Sequence, residues 1–98
     1  MAAAVNMIVL NAVDNVGVAL RDIAAGELAS DAAGRSLAAA EAIPQGHKIA
    51  LAPIDAGEKI VRFGVPVAIA VPAIPVGHLV HVHNVRSQYL DNDADHYE

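Results

Sequence analysis

One short pattern constrains this chain more than any other: Ile-x-x-Gly followed by Glu or His, which occurs four times. The copies run Ile23 to Glu27, Ile43 to His47, Ile54 to Glu58 and Ile74 to His78, so successive isoleucines lie 20, 11 and 20 residues apart. Alternate copies are therefore 31 residues apart, and the four reduce to two copies of a longer unit. A shift by 31 lays Ala19-Leu20 on Ala50-Leu51, Ala25-Gly26-Glu27 on Ala56-Gly57-Glu58, Ala39 on Ala70 and Gly46-His47 on Gly77-His78. An alanine-rich chain produces some such matches by chance, but not four aligned glycines together with four aligned isoleucines. The chain is an internal duplication. In each copy the isoleucine is expected to anchor a turn in the core, and the glycine to take a positive φ that a side chain would resist.

Around these turns lie short runs rich in β-formers: Met7 to Leu10, Val16 to Leu20, Lys48 to Leu51, Lys59 to Phe63, Val65 to Val71 and Leu79 to Val85. Each is bounded by Gly, Pro, Asn or Asp, as strands are. Five prolines, at 44, 53, 66, 72 and 75, argue against a long helix in the second half. The alanine-rich stretch Leu28 to Ala42 has helix propensity, but Gly34 and Pro44 leave it under three turns, too short to be stable alone. It is read as a loop, a strand near Ser36 to Ala39, and at most one helical turn before Pro44. The expectation is an all-β domain of short strands, folded as two related halves over residues 1–90 and followed by an acidic tail at 91–98.

With 98 residues there is room for one domain. The core must come from Ala, Val, Ile and Leu, because only Phe63, Tyr89 and Tyr97 are aromatic. There is no cysteine, hence no disulfide, thiolate metal site or thiol nucleophile. A small core without staples suggests a chain that gains stability by docking on a partner. Of the formal charge of −5, Asp91, Asp93, Asp95 and Glu98 carry most, and no basic stripe suggests nucleic acid. The first residues lack the basic flank of a signal peptide, and no apolar run approaches the ~18 residues of a membrane span, so a cytoplasmic location is expected.

Two groups of residues carry chemical content. His81 and His83, in His-Val-His, project from one face of a strand and could share a divalent cation if further ligands come from elsewhere. Equally, they could be two polar residues on the wet face of an edge strand. His47 and Lys48 follow a glycine turn and could bind a carboxylate substrate or move a proton. The plainer alternative is an exposed turn entering a strand. His78, the repeat-mate of His47, is read as structural, and Glu27 and Glu58 as turn residues. Arg62-Phe63-Gly64 could form a turn presenting a cation. No nucleophile elbow, phosphate loop or dinucleotide fingerprint is present.

Taken in order, Ile43-Pro44-Gln45-Gly46-His47-Lys48-Ile49-Ala50-Leu51, Ile54-x-x-Gly57-Glu58, Arg62-Phe63-Gly64 and His81-Val82-His83-Asn84 resemble the SAF domain of the altronate/galactarate dehydratase family. The resemblance runs from about Val16 to Arg86. It implies a β-clip fold and membership of a lyase that removes water from sugar acids with a divalent metal, iron or manganese. It further implies a large catalytic subunit as a separate polypeptide, with His81 and His83 facing its metal and His47 and Lys48 near the substrate. A homo-oligomer is compatible with this arrangement. The sulfolactate sulfo-lyases share the small-plus-large organisation and are the nearest competing resemblance. SAF-type domains also serve as plain binding modules, for example in sialic-acid synthases. Three departures from the family pattern, Arg62 for Lys, Phe63 for Tyr and Ala68 for Gly, leave the fold implied and the substrate open.

Overall fold

Each Ile-x-x-Gly segment folds into the same turn in the computed structural model, which describes residues 5–81 and 85–87. Ile23, Ile43, Ile54 and Ile74 are at most 1% exposed. They meet in pairs as isolated antiparallel bridges, Ile23 with Ile43 and Ile54 with Ile74. The four glycines that follow have φ of 85, 82, 87 and 83°, the left-handed region in which a side chain is strained.

Among the described residues nine short strands connect these turns: β1 (Met7–Ile8), β2 (Val16–Ala19), β3 (Leu28–Ser30), β4 (Ser36–Ala38), β5 (Lys48–Ala50), β6 (Lys59–Arg62), β7 (Val65–Ala70), β8 (Leu79–Val80) and β9 (Val85–Ser87). The described residues contain no helix. The sheets are β1-β2-β5-β8, β3-β4 and β6-β7-β9, with every pairing antiparallel. Pro66 sits in β7 across from the point where the register on β6 shifts, between Ile60 and Val61, an irregularity of the kind that accommodates a proline in a strand.

The duplication extends to individual hydrogen bonds. Ala39 N–H donates to Glu27 O and Ala70 N–H to Glu58 O; Gly46 N–H donates to Ala19 O and Gly77 N–H to Ala50 O. The strand that opens each half obeys a different spacing. Asn6 donates to the carbonyls of Ser30 and Leu28, and its Oδ1 accepts the Ser30 N–H. Asn15 makes the same three bonds to Val61 and Lys59, residues 31 further on. The two asparagines are only nine residues apart, so the 31-residue shift alone does not reveal them.

Two cores result. The first contains Met7, Ala19, Ile23, Ala29, Ala39, Ile43 and Ile49. The second contains Val16, Ala50, Ile54, Ile60, Ala70, Ile74 and Val80 in the equivalent places, with Ala68 added. The four-stranded sheet separates the two cores and feeds both, since alternate residues of one strand face opposite ways.

Leu28–Ser30 is a strand, β3, where the sequence predicts a loop. It exists because β4 pairs with it and Asn6 clamps Ser30, contacts that outweigh local alanine propensity. Residues before Pro44 form bends, not a helical turn. Val82, His83, Asn84, the acidic tail and His96 lie outside the described residues.

Candidate functional site

His47 is the last residue of the second turn, and Lys48 begins β5. The ladder sets Lys48 against Val80 and Ile49 against Leu79. Carried one step further, it places His47 directly across from His81. The two imidazoles are in contact, with ring centroids 4.6 Å apart and planes tilted by 50°. Both side chains are half-buried. Nδ1 of His47 lies 3.3 Å from the Gln45 carbonyl, and with a proton on that nitrogen the lone pair belongs to Nε2. Nδ1 of His81 is buried.

Lys48 is 6% exposed and leaves β5 on the other face, which it shares with Val18 and Val80. The structure thus brings His47 and His81 together and turns Lys48 away from them. His83 lies outside the described residues.

The remaining polar candidates hold the fold. Nδ1 of His78 is 3.2 Å from a Glu41 carboxylate oxygen, and the same oxygen accepts the Leu79 N–H at 3.0 Å. This ties the second half to the first, a contact that sequence reasoning missed. Glu27 and Glu58 accept the N–H of Ala24 and Asp55 inside equivalent turns. Arg62 lies over the Phe63 ring, 5.5 Å from its centroid, and Phe63 has φ 55° in the tight turn with Gly64. Asp14 receives the Gly64 N–H and fixes that hairpin.

Among the described residues no three His, Cys, Asp or Glu side chains gather as a metal site. Two imidazoles fit a metal only as part of a ligand set completed from elsewhere. A cleft of ≈ 290 Å³ beside the Ile23–Ile43 bridge is lined by Asp22, Glu27 and Pro44, and none of His47, Lys48 and His81 lines it. Among the described residues no helix is long and apolar enough to cross a membrane.

Comparison with known proteins gives this geometry its context. The chain is 36% identical over 90 residues to the altronate dehydratase of Escherichia coli K12, an alignment covering 91% of this chain and 18% of that protein. It is 42% identical over 78 residues to the altronate dehydratase of Bacillus subtilis 168, covering 80% of this chain and 16% of that protein. It thus spans under a fifth of the length of either relative. The (2R)-sulfolactate sulfo-lyase subunit alpha of Chromohalobacter salexigens is 38% identical over 48 residues, 49% of this chain and 51% of that subunit. Residues 5–88 match the model of the altronate/galactarate dehydratase SAF domain, and the chain belongs to that family.

Proposed function

We propose that this chain is the SAF component of a sugar-acid dehydratase, docking on a large catalytic subunit of the same family and contributing histidines to its metal-dependent elimination site. The observation that carries this reading is the meeting of His47 with His81, which joins two of the motifs behind the family resemblance at one end of one sheet. The match over most of the chain to two altronate dehydratases supports it.

Removing water from a dihydroxy acid requires abstraction of the proton α to the carboxylate and stabilisation of the charge that develops. His81 and His83 would hold a divalent metal, iron or manganese, which would supply that electrostatic stabilisation and Lewis-acid help to the leaving hydroxyl. His47, with Nδ1 oriented by the Gln45 carbonyl, presents Nε2 to bind substrate or hold a proton.

A second reading has its own observation. The likeness to the sulfo-lyase subunit alpha, 38% identical over 48 residues, admits elimination from a sulfonate substrate.

Co-purification from source cells is expected to recover a large partner of roughly 40 kDa, the size of a multi-domain catalytic chain. In the reconstituted complex, His81→Ala and His83→Ala should each lower dehydratase activity at least tenfold. Undiminished activity in both variants rejects the site and favours a plain binding module. Release of sulfite instead of water moves the assignment to the sulfo-lyases.

A further inference from the structure

We infer that His47 and His81 form a two-imidazole chelate for a divalent transition-metal ion, closed by ligands from a docked partner or substrate. The inference deepens the reading above, resting on its placement of a metal at this face. It places the partner of His81 across the ladder, in the turn that precedes β5, and so gives His47 Nε2 to the metal in place of the substrate or proton role above, with His47 instead of His83 as the second ligand.

Three observations carry it. First, the ring separation suits a shared ion. Metal–nitrogen bonds of ~2.1 Å with a right-angled pair of ligands put two imidazole centroids ~4.6 Å apart, and a tetrahedral angle puts them ~5.3 Å apart. The observed centroids are 4.6 Å apart. Second, His47 already has the partner that metal-binding histidines use to fix their tautomer. Its Nδ1 faces the Gln45 carbonyl, which assigns ligation to Nε2. Third, both residues sit beside paired backbone. The β5–β8 ladder and the Ala19 N–H bond to His47 O at 2.9 Å hold the two Cα positions, so little ordering is left for the metal to impose.

Imidazole pairs bind Ni²⁺ and Cu²⁺ more tightly than the lighter divalent ions, so these ions are the probes. Calorimetric titration of Ni²⁺ into the full chain is expected to show one site, weakened at least tenfold by His47→Ala and by His81→Ala and changed less than twofold by His78→Ala. Binding that survives His47→Ala but is lost in His81→Ala and His83→Ala overturns the inference in favour of the along-strand pair. Binding unaffected by any of these changes also overturns it. A second measurement needs no variant. Substoichiometric Cu²⁺ should broaden the imidazole NMR signals of His47 and His81 together, before those of His78, and a sharp His47 signal overturns the chelate. Neither experiment reads dehydratase activity. Failure here leaves the SAF-component reading standing, and failure to find a large partner leaves the chelate standing.

Discussion

The duplicated halves act as controls for one another, residue by residue. His81 holds the place that Ala50 holds 31 residues earlier. Ala50 is fully buried in the second core, and its N–H donates to His78 O on the neighbouring stretch. β8 ends its sheet, so among the described residues no further strand covers His81, and a polar ring is tolerated there. A similar divergence separates Glu27 from Glu58. Both accept a backbone N–H in their turns, but Arg21 lies 2.6 Å from Glu27, whereas Ala52 stands at the equivalent place beside Glu58. The Arg21 hydrogen bond first, and the Ala24 N–H second, hold the Glu27 carboxyl below its ordinary range. A carboxyl whose pKa is lowered by folding stabilises the fold above its unfolded pKa, and that contribution disappears as pH falls through the folded value. Arg21→Ala is therefore expected to raise the NMR titration midpoint of Glu27 towards that of a free glutamate, to leave Glu58 unmoved, and to flatten the acid side of the stability profile slightly. An unmoved Glu27 midpoint would assign the effect to the Ala24 N–H alone.

At the scale of elements, equivalent turns differ in what surrounds them. Gly57 and Gly77 both have positive φ, yet a Cβ on Gly57 meets nothing within 4 Å, while one on Gly77 would stand 2.5 Å from Ala38 O and 3.1 Å from Ala40 N. The close approach exists because Ala40 N–H donates to Gly77 O, locking the first half against the second. Gly57→Ala should cost about 1–2 kcal/mol from backbone strain alone. Gly77→Ala should cost about 2 kcal/mol more, since backbone must shift to admit the methyl group. Urea midpoints of the two variants check the order, and equal midpoints would mean that the interlock is soft. These turns are legible from sequence because only isoleucine burial with a positive-φ glycine satisfies the pattern. β3 is not, because Leu28-Ala29-Ser30 has no strand propensity of its own and depends on Asn6, 24 residues before Ser30. The His47–His81 pairing lies between these cases. The β2–β5 ladder sets Val18 against Lys48, and shifting both by 31 gives the observed Ile49–Leu79 pair, from which His47 opposite His81 follows. The repeat contains that register; only knowledge of which strands are neighbours makes it readable.

Over the whole molecule, the two cores cannot come apart separately. β5 sends Ile49 into the first core and Ala50 into the second, and β2 sends Ala19 into the first and Val16 into the second. Emptying either core disturbs strands whose next residues fill the other. Each core alone is also small and alanine-rich, short of what an independent fold needs. The halves should therefore unfold as one unit. Ile23→Val, wholly within the first core, should lower global stability by about 0.5–1.5 kcal/mol. Native-state hydrogen exchange can locate the loss. Ile54 and Ile74 donate their amides to each other's carbonyls in the second half, as Ile23 and Ile43 do in the first. If the sheet couples the cores, protection at Ile54 and Ile74 falls by as much as at Ile43, although neither second-half residue belongs to the core of Ile23. A loss confined to Ile43 and its neighbours would show two independently stable halves. The docking reading would then have to explain what holds them in register, because a partner that meets both His47 and His81 needs β5 and β8 folded at the same time.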